Sequence, residues 1–230
     1  NVLVTTFSVF ILLRPLWREL AKRSKTGPVA LAVVGGALLV LTGADSVGLT
    51  VEALKLGAEV VGGIDPCTMD QDPKGHLDTV FGLAQRHGRP VDIHLHEPAE
   101  LGLFSMGLIV ERCRALGMAG KVTISHAFCL GMNDWLAVGR MLDTLASAGI
   151  ALMTTAPAGW PAPPVKRAHA AGITICSGSD GIRDLWHPYG NADMLDRARQ
   201  LGLRNGLDKD EEVALALEIC TLGGAKVMAL

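Results

Sequence analysis

Apolar residues recur along this chain in two periods, one typical of helices and one typical of strands. From residue 46 onward, short runs rich in β-branched residues alternate with longer segments whose apolar positions have helical spacing. Ser46 and Asn133 precede two of the helical segments and Gly57 and Gly88 follow two of them, as capping residues do. Strands are expected at 59–65, 91–97, 121–128, 150–155 and 173–180, and helices at 46–56, 75–87, 104–116, 133–148, 164–171, 191–201 and 208–222.

This alternation is typical of a parallel α/β fold, which exists as an open doubly wound sheet or as a closed barrel. Asp65, His94, Glu97, His126 and Asp180 fall at the carboxyl ends of successive strands. A barrel gathers such residues at one face, whereas a doubly wound sheet divides them between crevices. The first clear strand is not followed by a glycine-rich phosphate loop. We therefore predict an α/β fold, part of a TIM-type (β/α)8 barrel.

The first 45 residues do not follow this pattern. Residues 1–13 are apolar without a clean period, residues 14–25 are basic and amphipathic, and residues 28–42 form a nearly featureless apolar run. Neither apolar run reaches the ~18 residues that span a bilayer, so we predict no membrane role. We treat residues 1–45 as a separate segment and residues 46–230 as the barrel domain, containing the later strands of the barrel.

The composition narrows the class of partner. The chain is 49% hydrophobic and 19% charged, with 27 glycines, which suits strands buried on both faces. A net charge of -2 and the lack of a long lysine or arginine run argue against nucleic acid as a partner. Five widely spaced cysteines, none in a Cys-x-x-Cys pair, indicate a reduced, cytoplasmic compartment. A small neutral substrate fits best, and a homo-oligomer is compatible with this composition.

The end of the second expected strand concentrates reactive groups. Strand alternation places His94 and His96 on one side and Glu97 on the other. With His126 and Asp180 from later strands, these residues offer imidazoles and a carboxylate, which suit zinc or ferrous iron. Such an ion acidifies water, and Glu97 is placed to carry the proton to a leaving amine.

Each of these residues also has a purely structural interpretation. His126 alone would usually be a hydrogen-bonded core histidine, and Asp180 alone a turn or helix cap. Trp186 is a candidate wall for a flat ring, although an aromatic residue there is equally compatible with plain packing. Asp184 lies just past the last strand, and we predict that it binds substrate together with His96 and Trp186.

Five short motifs stand out in the chain. They are the turn Gly62-Gly63-Ile64-Asp65-Pro66 and the runs at 92–97, 125–129, 179–186 and 188–194, which read DIHLHE, SHAFC, SDGIRDLW and PYGNADM. Together these motifs resemble the cytosine deaminase-like branch of the amidohydrolase superfamily. The resemblance covers roughly residues 51–230, with the motifs in the same order and spacing.

The resemblance implies a metal-dependent hydrolase barrel that holds one divalent ion, zinc or iron. By this analogy His94 and Asp180 are ligands, and His126 contacts the ion and its hydroxide. Glu97 would shuttle protons and Trp186 would border the substrate. The implied reaction is hydrolytic removal of an amine from a ring carbon of a pyrimidine- or triazine-like heterocycle.

The chain departs from the family pattern upstream. Family members carry a His-x-His pair on the first barrel strand, whereas no histidine precedes His76 here. The substrate-binding glutamine of the family is also not recognisable between residues 30 and 45. A second hypothesis is therefore a catalytically incomplete fragment, missing both ends and with residues 1–45 read in a shifted frame. A third, with Cys129 or Cys176 as nucleophile, lacks an adjacent base in sequence.

Overall fold

The computed structural model describes residues 44–183 and 188–228. The predictions made for residues 1–43 lie outside the described residues. So do the substrate-binding roles predicted for Asp184 and Trp186. Within the described ranges, no helix is both long and apolar enough to cross a membrane.

Strands and helices alternate through the described chain in the predicted order. The strands are β1 (Val61–Ile64), β2 (Val91–Leu95), β3 (Val122–His126), β4 (Ile150–Met153) and β5 (Ile175–Cys176). The helices are α1 (Ala44–Lys55), α2 (Pro73–His87), α3 (Ala99–Ala115), α4 (Trp135–Ser147), α5 (Val165–Ala170), α6 (Met194–Asn205), α7 (Asp210–Cys220) and α8 (Leu222–Val227), with a 3-10 helix at Phe128–Gly131.

The five strands form one parallel sheet in the order β1-β2-β3-β4-β5. Each strand therefore pairs with its neighbours in sequence, without the reversal of strand order that defines a doubly wound sheet. Sequential parallel strands joined by helices are the arrangement of an arc of a (β/α)8 barrel. The predicted α/β class is confirmed, and the doubly wound alternative is wrong.

Period-two burial in β2 separates a packed face from a functional face. Val91, Ile93 and Leu95 are almost fully buried, whereas Asp92 and His94 between them are half-buried. A Cβ built on Gly63 of β1 would lie 2.8 Å from both Ile93 Cδ1 and His76 Nε2, so this face packs directly on α2. The side chains of Asp92 and His94 therefore point away from the helices.

Local sequence sets the helix boundaries, in two cases differently from the prediction. Asp134, rather than Asn133, is the N-cap of α4, and its carboxylate accepts hydrogen bonds from the Leu136 and Ala137 amides. Helix α3 begins at Ala99 instead of residue 104, because Pro98 fits the N-cap position and cannot extend the strand.

The end of the chain differs from the predicted strand 173–180 and helix 208–222. Strand β5 is short because the Ser177 amide donates to Ile219 O at 3.1 Å, which turns the backbone from the sheet toward α7. The predicted last helix is divided at Thr221 into α7 and α8. Helix α8 then packs so closely on β5 that a Cβ on Gly223 would lie 2.2 Å from Ile175 O.

This close approach predicts opposite effects for two adjacent glycines of α8. We expect Gly223→Ala to destabilise the fold by about 1–3 kcal/mol, because the methyl group would push α8 off the β5 backbone. Gly224 has no neighbour within 4 Å of its Cβ position, so Gly224→Ala should be neutral or stabilising by up to about 1 kcal/mol. Urea unfolding midpoints measure both, and equal midpoints would contradict the packing of α8 on β5.

Candidate functional site

Three imidazoles converge at the carboxyl edge of the sheet. The register of β2 and β3 pairs Leu95 with His126, which brings the two strand ends together. One nitrogen from each of His94, His96 and His126 lies within 4.8 Å of the others. We call these residues the histidine cluster. The ring centroid of His126 lies 4.9 Å from that of His94 and 4.4 Å from that of His96, so His126 lies close to both.

A strained turn holds His126 at the end of β3. Its φ is 68°, and the Ala127 amide donates to Ser125 O at 2.9 Å, so His126 is the central residue of a γ-turn. Asp180 has the same geometry after β5, with φ of 65° and a 2.9 Å hydrogen bond from the Gly181 amide to Ser179 O. Positive φ at non-glycine residues costs energy and clusters at functional sites.

Asp65, directly after β1, holds His96 of the histidine cluster through its carboxylate. Its Oδ1 accepts hydrogen bonds from the backbone amides of His96 at 2.6 Å and Glu97 at 3.1 Å. Its Oδ2 lies 2.8 Å from His96 Nδ1. Because an ionised carboxylate only accepts hydrogen bonds, this contact places a proton on Nδ1 of His96 and, in the neutral ring, selects the tautomer whose Nε2 can bind a metal.

Glu97 is buried, and its described hydrogen bonds extend away from the histidine cluster. Its Oε1 accepts from the backbone amides of Cys67 at 2.7 Å and Thr68 at 2.8 Å, in the loop after β1. Its Oε2 accepts from the Ser105 hydroxyl on α3. The carboxylate therefore ties that loop to α3, and the proton-transfer role stays a prediction.

Asp92 and Asp180 add two carboxyl groups to the site. Asp92 Oδ1 accepts a 2.7 Å hydrogen bond from Ser125 Oγ and lies 4.0 Å from His94 Nε2. Burial raises the pKa of Asp92, His94 and Ser125 lower it, and the charge of Asp180 raises it further. Asp180 is thus within electrostatic range of Asp92 but outside the set of three histidines, and its role as a ligand stays a prediction.

Arg197, on α6, joins the loops that follow β4 and β5. Its buried guanidinium donates to Thr155 O at 2.7 Å and to Ser179 O at 3.4 Å, beside Asp180. Sequence reasoning missed this residue. The sequence feature that could have identified it is its helical spacing from Met194, Ala198 and Leu201, which places Arg197 on the inner face of α6.

The cysteine hypothesis finds no support in the structure. Burial raises the pKa of the Cys129 thiol to about 12 and that of the Cys176 thiol to about 12. At neutral pH both thiols are therefore protonated, whereas the thiolate is the nucleophilic form.

The sheet and the site together define a class: parallel α/β barrel proteins whose reactive groups stand at the carboxyl ends of the strands. Residues 16–230 match the amidohydrolase family. The chain belongs to this family, which confirms the resemblance found in the sequence.

Relatives with known names cover the same part of the chain. The crystal structure of N-isopropylammelide isopropylaminohydrolase from Burkholderia multivorans ATCC 17616 has a TM-score of 0.80 and 44% identity, over 83% of this chain and 49% of that one. The 5-methylcytosine deaminase of Klebsiella pneumoniae, liganded with 5-fluorocytosine, has a TM-score of 0.71 and 26% identity, over 81% of this chain and 48% of that one.

A curated sequence relative gives the same picture. N-isopropylammelide isopropyl amidohydrolase of Pseudomonas sp. (strain ADP) is 31% identical over 188 residues, which are 81% of this chain and 46% of that protein. The chain therefore spans about half the length of these relatives.

Glycine usually makes a fold less stable than alanine does at the same position, and the γ-turn at Asp180 predicts the opposite order. Asp180→Ala and Asp180→Gly both remove the carboxylate, but only glycine adopts positive φ without strain. We expect Asp180→Gly to be more stable than Asp180→Ala by about 1–2 kcal/mol, the cost of a left-handed conformation. Urea unfolding compares the two variants. An alanine variant as stable as the glycine variant would contradict the strained conformation.

Proposed function

We propose that this chain supplies the active site of a metal-dependent hydrolase that removes an amine from a ring carbon of a pyrimidine- or triazine-like heterocycle. The observation that carries the proposal is the histidine cluster at the carboxyl edge of the sheet. Its support comes from the family and from two structural relatives, one named as an isopropylaminohydrolase and the other as a deaminase.

The donor atoms of the histidine cluster fit one divalent ion, zinc or iron. Neutral imidazole is a ligand for both metals, and three protein ligands with an open position are typical of catalytic zinc. Asp65 supports the fit because its contact with Nδ1 selects, in neutral His96, the tautomer with Nε2 available as a ligand. His94, His96 and His126 would hold the ion, with Asp180 as a further predicted ligand. When bound, such an ion lowers the pKa of water into the neutral range.

The chain's own side chains position the reacting groups and transfer the protons. Asp65 fixes the His96 ring, and the γ-turn fixes the direction of His126. Glu97 is the proposed proton carrier: it takes one proton from water and delivers it to the ring nitrogen, and it then takes the second proton from the added hydroxyl and delivers it to the leaving amine. Its backbone follows His96 directly, and its own amide is held by Asp65. The residues that position the cluster therefore also position Glu97.

A second candidate is a catalytically incomplete barrel segment without a working metal site. The missing His-x-His pair upstream of His76 favours it. Metal analysis of the purified protein separates the two. Near-stoichiometric zinc or iron, lost together with any amine release in His126→Ala, supports the enzyme, and metal-free protein supports the incomplete segment.

Glu97→Gln tests the proton carrier. The amide oxygen can still accept from Cys67 and Thr68, so fold and metal content should be retained. We expect kcat for amine release from cytosine, isocytosine or an alkylated triazine to fall by about 10²–10⁴, the contribution of acid–base catalysis. An unchanged kcat would remove Glu97 from the mechanism.

Asp65→Asn tests how the His96 ring is held. The variant side chain can present an N–H to His96 Nδ1, which no longer selects the tautomer with a free Nε2. We expect zinc affinity, measured by competition with a chelator, to fall by about 10–100-fold.

The matched control for that experiment is Asp70→Asn. Asp70 Oδ2 lies 2.7 Å from Nδ1 of His76, which is the same carboxylate–histidine arrangement outside the cluster. Zinc affinity should be unchanged in this variant. Equal losses in the two variants, or no loss in Asp65→Asn, would argue against a positioning role for Asp65.

A further inference from the structure

Arg197 carries a positive charge into the interior beside the candidate site. The residue is 8% exposed, and its guanidinium donates to Thr155 O at 2.7 Å, Gln200 Oε1 at 3.2 Å and Ser179 O at 3.4 Å. All three acceptors are neutral, and among the described residues no carboxylate accepts a hydrogen bond from this side chain. Removing a charge from water costs free energy unless an opposite charge compensates it. Compensation from described residues therefore comes from beyond hydrogen-bond distance.

Asp180 is the acidic group in a position to compensate Arg197. Burial lowers the pKa of the guanidinium, and the charges of Cys220, Asp196 and Asp180 act against that shift. Burial also raises the pKa of the Cys220 thiol, so this group is uncharged at neutral pH. Asp196 is already paired, because its carboxylate accepts hydrogen bonds from Arg199 at 2.7 and 3.0 Å. Of the three groups, Asp180 is therefore the one whose charge is left to interact with the buried guanidinium.

The guanidinium also holds the backbone turn that carries Asp180. Ser179 O accepts the γ-turn hydrogen bond from the Gly181 amide at 2.9 Å and a second one from Arg197 Nη2 at 3.4 Å. The φ of Asp180 is 65°, a strained value that persists where surrounding contacts enforce it. Nη1 of the same guanidinium donates to Thr155 O. The fork of one side chain therefore fixes the turn against the loop that follows β4.

We propose that Arg197 is a positioning residue, which holds the γ-turn at Asp180 and so fixes where that carboxylate stands at the edge of the sheet. Arg197 belongs to helix α6, whose N-cap is Asp193, so the guanidinium is carried by a rigid element. Its effect on metal binding rests on the proposed function, in which Asp180 is a further ligand. Its effect on the turn does not. An apolar side chain of similar length would neither hydrogen-bond to Ser179 O nor attract the Asp180 carboxylate.

Urea unfolding midpoints test the hold on the turn. Asp180→Gly and Asp180→Ala are compared in the unmodified protein, in Arg197→Met and in the control Arg199→Met. We expect the glycine variant to have the higher midpoint in the unmodified protein and in the control, since Arg199 is exposed and its described hydrogen bonds go to Asp196. In Arg197→Met the gap should close, because residue 180 can leave the left-handed conformation once Ser179 O is released.

Arg197→Lys repeats the comparison in case Arg197→Met does not fold. Lysine keeps the charge but lacks the planar fork that reaches two carbonyls at once, so the gap should narrow in this variant as well. A gap of the same size in every background would overturn the proposal. Equal midpoints for the glycine and alanine variants in the unmodified protein would also overturn it, because there would be no strained turn to hold.

Zinc affinity, measured by competition with a chelator, tests whether Arg197 acts through Asp180. We expect Arg197→Met to weaken zinc binding by about 10–100-fold, as loss of an outer-sphere partner does, and Arg199→Met to leave it unchanged. Arg197→Met combined with Asp180→Asn should bind zinc no more weakly than Asp180→Asn alone. Unchanged affinity in Arg197→Met, or losses that add, would overturn the positioning role. If the unmodified protein bound no zinc, the proposed function would fail, and the urea midpoints would still decide whether Arg197 holds the turn.

Discussion

The register of the parallel ladder between β2 and β3 is the constraint on which the candidate site depends. It pairs His94 with Ser125 and Leu95 with His126, so that two strands end with their imidazoles side by side. A slip of one residue would turn every β2 side chain to the opposite face, placing Ile93 and Leu95 in the site and the histidines against the helices. Burial of Val91, Ile93 and Leu95 opposes that slip, so the hydrophobic core specifies where the chemistry lies.

The site then adds strain that the core must support. His126 and Asp180 both adopt positive φ at the centre of γ-turns, each at a cost on the order of 1–3 kcal/mol. A γ-turn reverses the chain within three residues, which allows a side chain to project from the strand end instead of continuing the pleat. The same turn occurs at the end of β3 and in the loop after β5, so strained backbone recurs at two of the residues predicted to carry the chemistry.

The sequence predicted most of what depends on local periodicity. Alternation over Val91–Leu95 gave both the strand and the shared face of His94 and His96. The same alternation puts His96 beside His94, as the structure shows, and the predicted role of His96 in substrate binding stays a prediction. The 3-10 helix was missed because Phe128, Cys129 and Leu130 form an apolar run that resembles a continuing strand.

What the sequence did not predict depends on contacts between distant residues. Asp65 hydrogen-bonds to His96, 31 residues away in sequence, and Arg197 hydrogen-bonds to Thr155, 42 residues away. Neither contact leaves a local pattern in the sequence. Strand β5 ends early because the Ser177 amide donates a hydrogen bond to Ile219 O in α7. Stacking of Trp160 on Phe128 likewise requires the loop after β4 to lie against the 3-10 helix, a packing that Gly131 permits.

The charges beneath the histidine cluster give an independent reason to expect a cation there. Asp92 is removed from water and near Asp180, and both effects raise its pKa, since each disfavours the ionised carboxylate. His94 and Ser125 oppose these effects only in part. A cation held by the imidazoles would act in the same direction as His94 and stabilise both carboxylates at once. Two neighbouring carboxyl groups repel each other when both are ionised, and a cation bound beside them would offset this repulsion, which adds an electrostatic contribution to its affinity.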